Sequence, residues 1–424
     1  MIFRPLFLFL ALFVLLHSAL AADRLSNPIA DPPAWKTLAK YQKTITHDEF
    51  ERLLRGVYCS HGIGDELIRI EPEFACILMD RDAQTWFTLR FAKNERTRRP
   101  AAPPWRTATS LPRPKREKKI LSGLKIALDP GHIGGAWAKM EERWFKVGDA
   151  PPVEEGEMTL RVAQMLAPKL RELGARVSFV RDKTEPVTPL RPDDLKEVAR
   201  EVLRASGVEN PRDDFAGLDD PLKDQTVRWQ SEILFYRNSE IRQRARLVNS
   251  KLKPDLVLCL HFNAEAWGDE QNPTLSDENH LHLLVNGAYV AAELQSDDVR
   301  FEMLRRLLSR AYDEELKIAD TAAAVMAKKT QLPPYEYTHP DNVTKVGTSG
   351  YVYARNLVAT RLYQCPVVYF EPYVMNSREV FARIQAGDYD GTRPINGVER
   401  PSIYREYVDS VVEGLVEYYR GARR

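Results

Sequence analysis

The feature that most constrains the fold is a short apolar strand that ends at a proline, a glycine and a histidine. Residues Gly123–Gly135 read GLKIALDPGHIGG, and the apolar run Leu124–Leu128 has the length of a buried strand. The run stops where Pro130 removes a backbone donor and Gly131 permits a positive φ. Because the carboxyl ends of strands in an open α/β sheet face the ligand crevice, His132 is expected at a functional site.

Two later strands repeat this arrangement. Residues Lys253–Ala264 contain an apolar run that ends at His261, and residues Cys365–Pro372 contain one that ends at Glu371. Two neutral imidazoles and a carboxylate, with a fourth position open, form the ligand set of a catalytic zinc ion. A further carboxylate that is not a ligand can act as the general base on the attacking water. The strand ends therefore predict a zinc-dependent hydrolytic site.

The order of the elements predicts an α/β fold. The strand before His132 is followed by a helix with apolar residues on one face, from Leu160 to Leu173, and then by the strand Ala175–Val180. Strand, helix and strand form a βαβ unit, for which a right-handed crossover is expected. We predict a mixed, mostly parallel open sheet with helices on both faces, preceded by a small α+β module.

The helix of this unit begins with three candidate ligands, the glutamates Glu154, Glu155 and Glu157. One of them would lie near the strand end that carries His132, but acidic residues at a helix N-terminus are also common for purely electrostatic reasons. Residue chemistry alone does not select among them. A strand is predicted at 281–285, and His280 just before it and His282 within it are further candidate ligands, although polar strand positions are more often merely exposed.

The N-terminus and the charge balance bear on location and partners. Residues 1–22 predict a secretory signal peptide, with Arg4 before a short apolar run and an Ala-Leu-Ala cleavage site. The mature protein is expected to be exported, to the periplasm or the medium, with no stable membrane span after removal of the signal. Lysine and arginine number 61 against 60 aspartates and glutamates, which argues against nucleic acid as a partner.

The 424-residue chain is long enough for more than one domain. Residues 23–93 predict a small α+β module without an assigned role, whose Cys59 and Cys76 could pair or stay reduced. Residues 94–120 predict a basic, proline-rich linker. Residues 121–424 predict the catalytic domain, and its polar stretch at 184–235 is interpreted as an insertion that forms a lid or rim over the crevice.

The motifs resemble those of the zinc-dependent N-acetylmuramoyl-L-alanine amidases. That family has a strand followed by DPGHGG, a glutamate at a helix entry, a strand ending in S-x-H-x-N, and a strand ending in glutamate. Here Asp129–His132, Cys259–Asn263 and Glu371 occur in the same order, and Arg244–Asn249 resembles the family's R-x-x-x-A-N helix. The resemblance covers about residues 122–420 and does not extend to the first 120 residues.

The resemblance implies roles for individual residues. In the family a leucine stands five residues and an alanine eight residues after the ligand glutamate, and Leu160 and Ala163 fit that spacing from Glu155. The implied zinc ligands are His132, Glu155 and His261. Glu371 is the implied general base for hydrolysis of the amide between N-acetylmuramic acid and L-alanine in peptidoglycan, with zinc polarising the scissile carbonyl. Asp129 and Asn263 are expected to orient neighbouring groups rather than to react.

Three departures from the family pattern leave the substrate preference open. Ile133 replaces a glycine, Gly156 replaces the lysine after the ligand glutamate, and Cys259 replaces the serine. The zinc set alone also fits a zinc peptidase or carboxypeptidase that acts on peptides. A third hypothesis is a wall-binding protein with an inactive or regulated site, although every catalytic position is filled. No regulatory partner is identified by the sequence.

Overall fold

The structure is a computed structural model that describes residues 25–101, 103–114, 116–217 and 220–423. The predicted signal peptide at 1–22 lies outside these residues. Within the described ranges, no helix combines the length and the apolar character that crossing a membrane requires.

The strands, in chain order, are β1 (Ile68–Ile70), β2 (Phe74–Asp80), β3 (Thr85–Arg90), β4 (Lys125–Pro130), β5 (Trp144–Phe145), β6 (Val153–Glu154), β7 (Arg176–Phe179), β8 (Leu256–Leu260), β9 (Leu281–Val285), β10 (Val343–Val346), β11 (Val352–Arg355), β12 (Val367–Pro372), β13 (Thr392–Ile395) and β14 (Val398–Pro401).

The α-helices are α1 (His47–Leu53), α2 (Glu155–Glu172), α3 (Lys196–Ala205), α4 (Val227–Ile233), α5 (Glu240–Arg246), α6 (Asp297–Ser309), α7 (Ala311–Thr330), α8 (Val358–Leu362), α9 (Arg378–Gln385) and α10 (Ile403–Ala422). Segments of π-helix continue α1, α4 and α5 at Leu54–Tyr58, Leu234–Ser239 and Leu247–Leu252. Turns of 3₁₀-helix lie at Trp35–Tyr41, Glu95–Thr97, Ala108–Ser110, Glu117–Lys119, Gly135–Trp137, Pro192–Leu195, Lys223–Gln225, Glu293–Gln295 and Pro340–Asn342.

The chain divides into two compact units. In their described parts, the first comprises 25–101, 193–217, 220–231 and 289–308, and the second comprises 103–114, 116–192, 232–288 and 309–423. The predicted insertion at 184–235 is therefore shared between the two units. The domain boundaries drawn from the sequence remain a prediction.

The first unit contains an antiparallel sheet in the order β1-β2-β3. Helix α1 begins after Thr46, whose side chain accepts a hydrogen bond from the Glu49 amide, and it buries Phe50 and Leu53. The predicted small α+β module is confirmed by these elements. Cys59 and Cys76, which the sequence allowed to form a disulfide or to stay reduced, are free cysteines.

The second unit contains a seven-stranded sheet among the described residues, in the order β10-β11-β9-β12-β8-β4-β7. Strands β11 and β9, β12 and β8, β8 and β4, and β4 and β7 pair in parallel. Strands β10 and β11, and β9 and β12, pair antiparallel. The prediction of a mixed, mostly parallel open sheet is confirmed.

Helices cover both faces of this sheet. On one face, Val257 and Val367 pack with Ala245 of α5 and with Val248 of the π-helical segment that follows. On the other face, the Phe370 ring lies 6.5 Å from that of Tyr407 in α10, which packs beside α2 and α7. The alternation of side chains along buried strands requires such a cover on each face.

Part of the predicted linker packs against the second unit. Trp105 belongs to the same apolar cluster as Val257, and Leu111 is also buried. The Arg106 guanidinium donates to both carboxylate oxygens of Asp255, at 3.0 Å and 2.7 Å. Residues 103–114 are therefore held by apolar burial and by a two-point ion pair.

Candidate metal centre

The register of the sheet brings the three predicted strand ends to one edge. Pro130 of β4 and Phe370 of β12 both pair with Leu260 of β8. Because these strands are parallel, the residues that follow the three positions emerge side by side. His132, His261 and Glu371 therefore come together although they are more than a hundred residues apart.

Three of the predicted site residues form a group that could hold a metal ion. One ligand atom from each of His132, Glu155 and His261 lies within 4.8 Å of the others. Nε2 of His132 lies 3.2 Å from Oε2 of Glu155, and Nδ1 of His261 lies 3.0 Å from Oε1 of the same carboxylate. The two imidazole rings are nearly perpendicular, at 80°, with centroids 5.1 Å apart.

Among the three glutamates at the start of α2, Glu155 has the carboxylate between the two histidines. Glu154 instead accepts a hydrogen bond from the Gly135 amide at 3.0 Å, and Glu157 is exposed. The difference follows from helix geometry, because neighbouring positions project about 100° apart around the axis.

Glycines permit two close approaches around this group. A β-carbon on Gly131 would lie 2.2 Å from Cε1 of His261, so the imidazole occupies the space of the missing side chain. A β-carbon on Gly156 would lie 2.3 Å from the Gly134 amide nitrogen. The glycine that departs from the family's lysine therefore allows the loop after His132 to touch the start of α2.

The loop that carries His132 is fixed by a buried carboxylate that the sequence did not single out. Glu141 accepts hydrogen bonds from the amides of Ile133 and Gly134, at 2.8 Å and 3.1 Å. Its Oε1 lies 3.6 Å from Nδ1 of His132, which has a left-handed backbone with φ of +56°. Glu141 thus faces one ring nitrogen while Nε2 faces Glu155, an arrangement that orients the ring.

Arg143 was also missed by sequence reasoning. Its Nε lies 3.2 Å from Oε2 of Glu155, the oxygen that faces His132. Both Glu141 and Arg143 belong to a loop without hydrophobic periodicity, so no sequence pattern marks them. The one available signal is the length of the loop between β4 and α2.

A buried arginine holds the end of β4 in place. Arg244 of α5 donates to Oδ1 of Asp129 at 2.9 Å, to the Pro130 carbonyl at 2.8 Å and to the His132 carbonyl at 2.8 Å. Its Nε also donates to Glu240 at 2.7 Å. Asp129 is thus paired with Arg244 inside the protein, and its orienting role stays a prediction.

The pKa values in the site favour a neutral histidine beside an ionised ligand carboxylate. Burial holds the pKa of His132 well below its ordinary value, although the charge of Glu155 acts in the opposite direction. Burial opposes ionisation of Glu155, but the neighbouring His132 and His261 outweigh it and lower its pKa to about 2. A neutral imidazole and a carboxylate are the protonation states in which these groups bind metal.

Glu371 lies in a different electrostatic environment. Burial and the charge of Glu155 raise the pKa of Glu371 well above its ordinary value, although Arg143 and Arg355 act in the opposite direction. The side chain is half-buried at the end of β12, and Tyr369, two residues earlier on the same face, stacks on His261 with centroids 4.2 Å apart. Two carboxylates with separated pKa values typically divide the roles of ligand and acid/base group.

His280 and His282 do not belong to the metal-binding group found among the described residues. Nε2 of His280 lies 3.2 Å from Oε1 of Glu265, and its Nδ1 lies 3.4 Å from the Asn263 amide nitrogen. Nε2 of His282 lies 3.2 Å from the Tyr337 hydroxyl. Both histidines are buried, so the expectation that polar strand positions here are exposed is wrong.

No protein-family model and no curated protein matches the chain. Among solved structures it is similar to the N-acetylmuramyl-L-alanine amidase Ami1 from Mycobacterium smegmatis, with 15% identity over 71% of this chain and 99% of that chain and a TM-score of 0.37. For Ami1 from Mycobacterium abscessus the identity is 19%, over 70% of this chain and 99% of that chain, and the TM-score is 0.37. For the N-acetylmuramoyl-L-alanine amidase AmiC2 of Nostoc punctiforme, the identity is 14% over 71% of this chain and 97% of that chain, and the TM-score is 0.33.

These identities and TM-scores are too low to assign a family or an activity. The function is therefore argued from the residues of the site and from the motifs that carry them.

Proposed function

We propose that this protein is an exported zinc-dependent amidase that cleaves the bond between N-acetylmuramic acid and L-alanine in peptidoglycan. The observation that carries the proposal is the convergence of His132, Glu155 and His261, with Glu371 at the end of the adjacent strand. The substrate comes from the resemblance of the motifs to the amidase family, and the export from the predicted signal peptide.

The donor atoms fit zinc. Two imidazole nitrogens and one carboxylate oxygen, close enough to share one ion, match the ligands found in catalytic zinc sites. His132 would present Nε2 and His261 would present Nδ1, because these are the nitrogens that face the Glu155 carboxylate. Zinc bound there would supply a Lewis acid for the scissile carbonyl and the attacking water.

The remaining chemistry belongs to Glu371. Its carboxylate would take a proton from the attacking water and return it to the departing amine of L-alanine. Burial raises the pKa of Glu371 above that of an ordinary carboxyl, which is the direction expected of a group that accepts a proton and then releases it. Glu155 stays ionised beside the histidines and keeps the ligand role.

The experiment compares three glutamate variants with the parental protein, by metal analysis and by mass spectrometry of digested muropeptides. Glu371→Gln is expected to retain zinc and to lose about a hundredfold or more in kcat, which is the usual contribution of a general base. Glu155→Gln is expected to lose both zinc and activity. Glu157→Gln is the matched control, because this carboxylate is exposed on the same helical turn, and it should behave like the parent.

Two results would contradict the proposal. Cleavage of muropeptides by Glu371→Gln at the parental rate would show that Glu371 is not the general base. Products cut within the stem peptide, rather than a free stem peptide and a peptide-free glycan, would favour the zinc peptidase that the ligand set also fits.

A further inference from the structure

A buried histidine lies directly beside the proposed general base. In the antiparallel pairing of β9 with β12, His282 is opposite Glu371. Residues that are directly opposed in such a pair have side chains on the same face, with β-carbons about 5 Å apart. His282 is 3% exposed, so its side chain is buried beside the strand end that carries Glu371.

A tyrosine contacts His282 at one of its two ring nitrogens. The Tyr337 hydroxyl lies 3.2 Å from Nε2 of His282, and the Arg355 guanidinium carbon lies 5.7 Å from the centroid of the Tyr337 ring. A tyrosine hydroxyl carries one proton, and when it donates that proton to Nε2 the imidazole keeps its own proton on Nδ1. In that tautomer, Nδ1 of His282 is a hydrogen-bond donor.

The Nδ1 atom of His282 is buried and has no hydrogen-bond partner within the described protein. The Tyr335 ring lies 4.9 Å and the His280 ring 6.4 Å from the ring of His282, and the residue opposite it in the neighbouring strand is Glu371. A buried donor without an acceptor costs free energy, and an apolar side chain of similar size would avoid that cost. Packing against Tyr335 and the contact of Nε2 with Tyr337 leave the polar Nδ1 atom of His282 unaccounted for.

We propose that His282, held by Tyr337, is a positioning residue for Glu371, and that its Nδ1–H donates a hydrogen bond to that carboxylate during the reaction. The inference deepens the proposed amide hydrolysis and rests on it. Glu371 must accept a proton from water and then release it to the amine, so its carboxylate needs a fixed orientation in both states. His282 keeps its own proton throughout and transfers none.

Three substitutions at His282 separate this role from simple packing. His282→Asn retains an amide donor near the place of Nδ1, whereas His282→Gln places its amide near Nε2. His282→Leu retains bulk without any donor. We expect kcat to fall by about tenfold for the Leu and Gln variants with KM and zinc content unchanged, and the Asn variant to recover most of the loss.

Nitrogen NMR of histidine-labelled protein provides a readout that does not depend on turnover. The resonances of His282 should show the proton on Nδ1 in the parental protein, and Tyr337→Phe should abolish that preference because the donor to Nε2 is removed. Glu371→Gln, which leaves the contact between Tyr337 and His282 intact, should retain the tautomer.

The outcomes distinguish this inference from the proposed function. If the parental protein cleaves no muropeptide, the proposed function fails and the inference fails with it. If the parent is active but the Leu and Gln variants match it, or if the proton of His282 lies on Nε2, the inference alone is overturned. Recovery by Gln and not by Asn would show that the contact with Tyr337 matters and that Nδ1 does not.

Discussion

Gly131 shows how an absent side chain sets the position of a candidate ligand. The His261 imidazole lies where a β-carbon at position 131 would project, at 2.2 Å from Cε1 and 2.4 Å from Nδ1. The Gly131 amide also donates to the Leu260 carbonyl at 2.9 Å, which fixes the glycine against the strand that delivers the histidine. Glycine is thus required here by the space that the ring occupies.

We expect Gly131→Ala to displace the His261 ring and to weaken zinc binding by about ten- to a hundredfold, the usual effect of disturbing the groups that orient a ligand. Titration of the metal-free protein with zinc against a competing chelator measures this change. Gly421→Ala in α10 is the control, because its β-carbon would meet nothing within 4 Å. Parental zinc affinity in Gly131→Ala would contradict the account of the site.

Among the residues of the candidate site, those that follow strands could be predicted from the sequence, and those in loops could not. His132, His261 and Glu371 each follow an apolar run, and that run can be seen in the sequence. Glu141 and Arg143 reach the site through the tertiary path of a loop, which leaves no periodic signal. The role of Gly156 was equally hidden, because its partner Gly134 is distant in sequence and the contact is between backbones.

At the scale of elements, the site depends on a helix that contributes no ligand. Helix α5 buries Arg244 against the end of β4, where one guanidinium serves a carboxylate and two backbone carbonyls. The pairing with Asp129 and Glu240 compensates the burial of the charge. This fork geometry is specific to arginine, since a lysine ammonium is a point charge on a flexible chain.

We expect Arg244→Lys to destabilise the protein by about 3 kcal/mol, because some of the buried acceptors lose their donor. Urea unfolding followed by circular dichroism measures the change in free energy of unfolding. Arg246→Lys, at an exposed position of the same helix, should change it by less than about 0.5 kcal/mol. Equal unfolding midpoints for Arg244→Lys and the parent would show that the fork is not needed.

Long elements with a clear hydrophobic pattern were predicted well, and short polar ones were not. The strands β4, β8, β9 and β12 and the helix α2 lie within a few residues of their predicted positions. The hairpin β13–β14 was missed because its strands are largely exposed and lack an alternating pattern. The two-residue strands β5 and β6 are too short for any periodic signal.

For the molecule as a whole, the average composition of a segment is a poor guide to its packing when a single large apolar residue is buried. Residues 94–120 are rich in proline and basic side chains, which is typical of a linker. Within that stretch Trp105 is only 6% exposed and joins the core beside the seven-stranded sheet. Average properties of a segment therefore do not predict whether a single large side chain anchors it.

The buried His282 makes a prediction about global stability. Burial, followed by the charges of His280 and Arg355, lowers the pKa of His282 to about 3 in the folded protein, where Tyr337 and Glu371 also adjoin it. In the unfolded chain the pKa is about 6.5. The stabilisation from a neutral His282 is therefore complete above about pH 6.5 and is lost as the pH falls toward 3.

Between about pH 8 and pH 5 this residue should account for a loss of about 2 kcal/mol in the free energy of unfolding. The measurement is urea unfolding of the parent and of His282→Leu at several pH values. The difference between their free energies of unfolding near pH 8 is the reference for the difference at lower pH. The variant should lose less stability on acidification. Parallel pH dependences of the two proteins would show that His282 is not buried in its neutral form.

The central claim is that this fold presents a metal-dependent amidase site, and mass spectrometry of muropeptides tests it most directly. The mature protein, loaded with zinc, would be incubated with purified muropeptides, with a chelated sample and a chelated sample resupplied with zinc alongside. We predict a free stem peptide and a peptide-free glycan, absent after chelation and restored by zinc. Unchanged muropeptides with zinc bound at His132, Glu155 and His261 would contradict the claim.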